Sequence, residues 1–109
     1  MGQVPQAMLR VHHEQGVEAD VIRLVGEMDL GNVDEARAAV MAAIEGEAVA
    51  VVVDLSELEF IDSIGISMLL EAQAASRRDS CRLSFRGAQA EVARVMQVTG
   101  VDQQLDFSD

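Results

Sequence analysis

Residues 49–70 read VAVVVDLSELEFIDSIGISMLL, and this stretch decides the fold of the chain. Its first part, Ala48–Asp54, is almost continuously apolar and β-branched, which predicts a central strand covered on both faces. A polar turn from Asp54 to Ser63 is expected next, followed by a helix over Ile64–Arg77. A hydroxyl at a helix start lies where free N–H groups and the helix dipole favour negative charge. Ser63 therefore has two interpretations, as a helix cap and as a phosphate acceptor.

Strands and helices alternate on both sides of this stretch. The other elements expected from periodicity and turn residues are strands at Met8–Glu14 and Ala19–Val25, a helix at Asn32–Glu45, a strand at Cys81–Arg86, a helix at Gln89–Thr99 and a brief edge strand at Leu105–Phe107. Gly46 is expected to end its helix in the left-handed conformation, and Gly100 is expected to end the last helix. The order ββαβαβα predicts an α/β fold, a single mixed β-sheet of four to five strands with helices packed against it. We expect residues 1–109 to form one domain, with residues 1–7 frayed.

The composition excludes several classes of protein. Nineteen Asp and Glu against eight Arg, with no Lys, give a net charge of −11, so the basic face that nucleic acid or an anionic membrane requires is missing. A partner with a basic surface is favoured, although the acidity could serve solubility alone. Cys81, the only cysteine, is expected to be a small buried residue and permits no intramolecular disulfide. Together with the lack of a membrane-length apolar run, this predicts a cytoplasmic protein.

Residues that carry catalysis or bind metals are not grouped in the sequence. His12 and His13 are adjacent on a strand and point to opposite faces, which makes them a poor metal pair. No Gly-x-Ser-x-Gly turn surrounds Ser63, and the Walker, dinucleotide-binding and zinc patterns are absent. Asp54 and Ser56 are expected to shape the turn through side-chain to backbone hydrogen bonds. We therefore expect neither enzymatic activity nor a cofactor.

The segment Asp54–Gly65 resembles a motif of the STAS domain, and within that family of the small cytoplasmic anti-sigma factor antagonists. The family places D-L-S-x-[LV]-x-F-[ILM]-D-S-[ST or apolar]-G after its central strand, and every framework position is filled here. Gly26–Asp29, which reads G-E-M-D, resembles the family's G-E-[LIM]-D element after the second strand. The predicted order of elements agrees with the family from about Met8 to Phe107. The resemblance implies a binding protein that is not a catalyst.

The resemblance also implies roles for individual residues. Ser63 matches the serine that is phosphorylated by the partner kinase, which is itself the anti-sigma factor. Asp62 matches the acidic residue before it, and Asp29 matches an acidic residue implicated in contact with the partner or a nucleotide, although it could equally be a solvated loop carboxylate. Ile64 stands where many relatives have a second hydroxyl, and it is either an exposed anchor or packed against Phe60. The implied partner-binding surface consists of Asp29, Asp62, Ser63, Ile64 and Gly65.

The implied function is a switch controlled by phosphorylation. The unphosphorylated protein would bind an anti-sigma factor serine kinase and free the sigma factor, phosphorylation on Ser63 would dissolve the complex, and a serine phosphatase would reset it. The carboxylates of Asp62, Glu57, Glu59 and Asp29 are expected near Ser63, so that a phosphate adds charge to an acidic surface.

Three alternatives remain open for the function. They are a STAS subunit of an ABC-type lipid transport complex that binds its ATPase, a subunit of a large stress-signalling assembly, and a nucleotide-binding protein. The chain ends soon after Phe107, where many relatives continue into a further helix. No cofactor, nucleic acid or membrane is expected, and the protein is expected to be a monomer or weak dimer.

Overall fold

The architecture comes from a computed structural model that describes residues 8–108. The elements are β1 Leu9–Glu14, β2 Asp20–Met28, α1 Val33–Glu45, β3 Ala50–Ile61, α2 Ser63–Arg78, β4 Arg82–Arg86, α3 Ala90–Thr99 and a short 3₁₀ helix Val101–Gln103. The predicted order ββαβαβα is confirmed, and the 3₁₀ helix is an addition that the sequence did not predict. The expected fraying of residues 1–7 lies outside the described residues.

The strands form one mixed sheet in the order β1-β2-β3-β4. β1 and β2 are antiparallel and form a hairpin, whereas β3 is parallel to both β2 and β4. Parallel neighbours need crossover connections, and α1 and α2 supply them. The tail adds a single parallel bridge between Phe85 and Phe107, where a brief edge strand at Leu105–Phe107 was predicted. The predicted mixed sheet with the apolar strand in its interior is therefore confirmed.

The hydrophobic core lies against one face of the sheet. Val51, Val53 and Leu55 of β3 are fully buried, whereas Val52 and Asp54 between them are only partly buried. The prediction that this strand is covered on both faces was therefore wrong. A run of valines looks the same in sequence whether the second face is covered by helices or only shielded by neighbouring side chains. We call this second face, from which Val52 and Asp54 project, the open face.

Strand β3 is longer than the sequence predicts. The turn expected from Asp54 to Ser63 was wrong, because pairing with β2 continues until Ile61 lies opposite Met28, with two irregularities in register on the way. Leu58 and Ile61 remain buried along this extension. The polar residues that indicated a turn occupy exposed positions of a strand instead. Only Asp62 separates β3 from α2.

The helix termini agree with the sequence in part. Gly100 ends α3 as predicted, in the left-handed conformation with a φ of 78°. Gly46 follows α1 with a φ of −80°, so the predicted left-handed conformation was wrong there. Asn32 precedes α1 as predicted, yet it makes no capping bond. Its side-chain amide turns back and bonds the N–H of Asp29 and the carbonyl of Glu27, each at 2.9 Å. The residues of α1 that recur at helical spacing are buried: Val33, Ala36, Val40, Ala43 and Ile44.

A buried amide connects α2, β4 and the C-terminal tail. Gln73 is 2% exposed; its side-chain N–H donates to the Leu83 carbonyl at 3.3 Å, and its oxygen accepts the N–H of Asp106 at 2.9 Å. Buried polar groups are costly unless they are hydrogen-bonded, and this one bonds with two other elements. Gln73 thus holds the tail against the sheet.

Candidate functional site

The β3–α2 junction, defined here as Ile61–Gly65, lies at the carboxyl edge of the parallel strands. Beside it lies the β2–α1 loop, Asp29–Asn32, because β2 and β3 end side by side. The N–H of Asp62 donates to the carbonyl of Met28 at 3.2 Å. The topology thus brings together two segments that the sequence separates by the whole of α1.

The carboxylate of Asp62 joins these two segments. One oxygen accepts the N–H of Gly65 at 2.9 Å and so caps α2, and the other accepts the N–H of Leu30 at 3.1 Å. An acidic N-cap satisfies an otherwise free helix donor and complements the positive end of the helix dipole. The capping role considered for Ser63 therefore belongs to Asp62.

Ser63 is the first residue of α2, and its side chain is exposed. Within residues 8–108 its hydroxyl makes no hydrogen bond, because the cap one residue earlier already serves the helix start. The N–H groups of Ser63 and Ile64 precede the first residue that bonds within the helix and have no intrahelical acceptor. The junction therefore presents an accessible hydroxyl beside two open backbone donors.

Ile64 and Gly65 play different parts in the junction. Ile64 is 36% exposed, so it contributes apolar surface beside Ser63. Phe60, on β3, lines a groove with Ile61 and with Val92 and Val95 of α3. Gly65 is buried, and a Cβ there would lie 2.7 Å from Cγ1 of Ile61. Glycine is needed at this position because α2 packs closely on the end of β3.

Asp29 organises the β2–α1 loop. Its side chain accepts the N–H of Gly31 at 2.9 Å, and its carbonyl accepts the N–H groups of Asn32 and Val33. Such a local carboxylate turn shapes a loop without help from a ligand. Asp29 is only partly exposed, so it combines this structural role with a place on the surface next to Asp62.

The carboxylates expected around Ser63 are distributed differently from the prediction. Glu57 and Glu59 project from β3, and Glu57 pairs with Arg23 of β2 at 3.5 Å. Four residues of strand place Glu57 about 13 Å before Ile61, so the prediction that it neighbours Ser63 was wrong. The error follows from the missing turn. Asp62 and Asp29 are the acidic groups that hydrogen-bond within the junction and the adjoining loop.

Asp54 and Ser56 form the predicted local hydrogen bond, but on a strand. The N–H of Ser56 donates to Asp54 at 2.9 Å, and Arg86 of β4 donates to the other oxygen at 3.3 Å. Burial by itself raises the pKa of Asp54; the hydrogen bonds from Ser56 and the Arg86 guanidinium outweigh it, and the net pKa is lowered. These residues stabilise the sheet and lie apart from the junction.

The remaining reactive side chains form no second site. His13 bonds the Asp20 carboxylate at 2.9 Å beside the hairpin turn. Cys81 is buried as predicted, and burial, with Asp79 and Asp20 adding to it, raises the pKa of its thiol. In the described part of the chain no group of three His, Cys, Asp or Glu side chains could hold a metal ion. None of the helices described between residues 8 and 108 is long and apolar enough to cross a membrane.

Leu30 lies beside the junction, although no sequence motif indicates it. This residue is 72% exposed, and its backbone is tied to Asp62 across 32 positions of the sequence. No local pattern distinguishes it from an ordinary loop leucine, since its proximity to Ser63 arises only when β2 and β3 pair.

A groove of about 530 Å³, lined in part by Gln73, Arg77 and Arg82, lies at the opposite end of α2. This groove is away from the junction, where Ser63 and Ile64 are exposed.

Solved structures with this architecture include several anti-sigma factor antagonists. One from Mycobacterium paratuberculosis has 22% sequence identity and a TM-score of 0.82, covering 92% of this chain and 85% of its own. Unphosphorylated SpoIIAA, an anti-sigma factor antagonist, has 25% identity and a TM-score of 0.75, covering 92% and 89%. Phosphorylated SpoIIAA, a Bacillus cell fate determinant, has 24% identity and a TM-score of 0.70, covering 92% of each chain.

The sequence itself identifies the family. Comparison with curated proteins gave no significant match. The family model described as "Mlab, STAS domain" matches residues 11–106, which include most of β1, the other three strands, the three α-helices and the β3–α2 junction. This chain therefore belongs to the STAS domain family.

Proposed function

We propose that this protein is an anti-sigma factor antagonist that is switched by phosphorylation of Ser63. The unphosphorylated form binds an anti-sigma factor serine kinase in the cytoplasm and releases the sigma factor, and a serine phosphatase restores this form after phosphorylation. The protein is a binder and a substrate in this cycle, not a catalyst. The observation that carries the proposal is the exposed Ser63 hydroxyl, left free because Asp62 caps the helix. The likeness to unphosphorylated SpoIIAA supports it.

The helix start can accept a phosphate without unfolding. Phosphoserine brings about −1.5 to −2 charges and three acceptor oxygens. The open N–H groups of Ser63 and Ile64 can donate to those oxygens, and the helix dipole favours the added charge. The fold should therefore survive phosphorylation, so that the modification acts on binding.

The same phosphate opposes binding of the partner. Asp62 and Asp29 already make the surface acidic, and a phosphate buried in an interface must be desolvated beside these carboxylates. Each 1.4 kcal/mol of this cost lowers the affinity about tenfold. A penalty of a few kcal/mol is therefore enough to turn capture into release.

The first prediction concerns the site of phosphorylation. Incubation of the full chain with Mg-ATP and the serine kinases of its source organism should add one phosphate, detected by mass spectrometry. Ser63→Ala should receive none, whereas Ser67→Ala, which removes an exposed hydroxyl one helical turn later, should be modified like the wild type. A phosphate that persists in Ser63→Ala would refute the assignment.

Binding provides the second arm of this test. Ser63→Asp should weaken capture of the kinase at least tenfold, and Ser67→Asp should weaken it much less because it lies farther from the junction. Equal affinity of Ser63→Asp and wild type would contradict the charge mechanism. Capture of the ATPase of an ABC-type lipid transport complex, with no phosphate transfer, would instead favour the alternative function.

A further inference from the structure

Leu30 is an exposed apolar side chain on a loop that is held in place. The loop is tied by the Asp29 carboxylate to Gly31, by the Asn32 amide to the N–H of Asp29, and by Asp62 to the N–H of Leu30 itself. The Leu30 side chain nevertheless remains 72% exposed. The Leu30 side chain therefore contributes little to the stability of the folded protein, because most of it is not buried. Its backbone, however, is already ordered. A preordered apolar group loses less entropy when a partner covers it.

The position of Leu30 relates it to the phosphate acceptor. The bond from its N–H to Asp62 places it beside the residue that precedes Ser63, and Ile64, the residue after Ser63, adds partly exposed apolar surface. Another fully exposed apolar residue, Val17, lies in the β1–β2 turn. That turn is at the opposite end of the sheet, since β2 runs from it towards the β2–α1 loop. Leu30 and Ile64 thus supply exposed apolar surface near the site of the proposed switch.

The surroundings of Leu30 indicate the chemistry of what covers it. Asp29 and Asp62 lie next to it in the loop and junction, and Glu27 is exposed at the end of β2. Apolar surface with a polar rim is the usual arrangement of a protein interface. A complementary surface would bury the leucine and place cationic groups against the carboxylates.

We propose that Leu30 is the apolar anchor for the anti-sigma factor kinase, and that it enters an apolar pocket of that kinase bordered by Arg or Lys side chains. This proposal rests on the proposed function and adds to it a residue that determines affinity. Asp62 is then a positioning residue for the anchor as well as the helix cap, because its two oxygens hold Leu30 and Gly65 in one arrangement. Phosphorylation of Ser63 places charge beside the pocket rim.

The test uses the full chain and the kinase that phosphorylates the wild type under the conditions given above. Leu30→Ala should raise the dissociation constant about 10- to 100-fold, as expected for loss of a buried leucine side chain. Its phosphorylation should show a raised KM with an unchanged kcat, because the anchor binds substrate and transition state equally. Val17→Ala is the matched control and should change neither value more than about twofold.

The outcomes separate this proposal from the proposed function. If the wild type binds and is phosphorylated on Ser63 but Leu30→Ala behaves like it, the anchor is refuted and the switch stands. Equal losses of affinity for the kinase in Leu30→Ala and Val17→Ala would also refute the role of Leu30 as the anchor. If no kinase modifies Ser63, the proposed function fails and the anchor fails with it. Unchanged circular dichroism and melting temperature of Leu30→Ala would exclude unfolding as the cause of lost binding.

Discussion

Neighbouring residues at the β3–α2 junction have different roles, some structural and one proposed to be regulatory. Asp62 caps the helix and holds the neighbouring loop, Gly65 allows the helix to pack on β3, and Ser63 between them does neither. A residue that makes no structural hydrogen bond can be modified without loss of the fold. The accessibility of the Ser63 hydroxyl is thus a consequence of the cap at the preceding position.

Gly65→Ala should destabilise the protein by about 1–3 kcal/mol, the usual cost of an extra methyl group in a packed site. The new Cβ would meet Cγ1 of Ile61 at 2.7 Å and Cε of Met28 at 3.2 Å, which outweighs the better helix propensity of alanine. Urea unfolding measures the change. Gly31→Ala is the control, since its Cβ would meet only Asp29 Oδ1 at 3.4 Å, and equal stability of the two variants would contradict this steric account.

Polar contacts fix several pairs of elements, and three of them involve residues discussed above. Asp62 joins α2 to the β2–α1 loop, Gln73 joins α2 to β4 and the tail, and Asp54 of β3 joins Arg86 of β4. Each contact links residues that are far apart in sequence. These contacts give the elements their relative positions, whereas the apolar stripes provide most of the stabilisation.

The pair of β3 and β4 should make stability depend on pH through Asp54. Because its pKa is lowered in the folded state, the unfolded chain binds more protons between the lowered and the ordinary value, and stability rises with pH there. The contribution of Asp54 is complete above the ordinary carboxyl range and is lost as the pH falls through the folded pKa. Asp54→Asn should therefore show a shallower loss of unfolding free energy between about pH 5 and pH 3. If the unfolding free energies of wild type and Asp54→Asn fell equally over this pH range, this assignment would be contradicted.

The whole molecule distributes its charge unevenly. Four of the eight arginines alternate with buried residues on the strands and so project from the open face: Arg10, Arg23, Arg82 and Arg86. Two of them pair there, Arg23 with Glu57 and Arg86 with Asp54. The carboxyl edge of the sheet carries Asp29 and Asp62, and the chain as a whole has a net charge of −11. Such a field steers a basic partner towards that edge.

Binding of the kinase should therefore weaken with salt. Raising NaCl from about 50 to 500 mM shortens the Debye length from about 14 to about 4 Å and should lower the association rate constant at least several-fold, with a smaller effect on dissociation. Stopped-flow or surface plasmon resonance measures both constants. Leu30→Ala should retain the salt dependence, because it removes apolar area and no charge. An association rate that does not change with salt would refute the electrostatic contribution.

The sequence by itself determined the order of elements, the buried stripes, the family and the candidate phosphate acceptor. These features rest on local periodicity, on end signals such as Gly100, and on the motif that contains Ser63. The elements and their buried faces can be predicted from short segments of sequence, because the side-chain directions of a helix or strand repeat at fixed intervals. The prediction of the sheet with its apolar interior strand succeeded for this reason.

Only the tertiary structure decided how the site is built. The extension of β3 to Ile61 depends on pairing with β2, and it moved Glu57 away from Ser63. The cap by Asp62 and the place of Leu30 depend on a contact across 32 residues. No local pattern reports such contacts, since hydrogen bonds between distant segments form only after the parallel strands have brought their ends together.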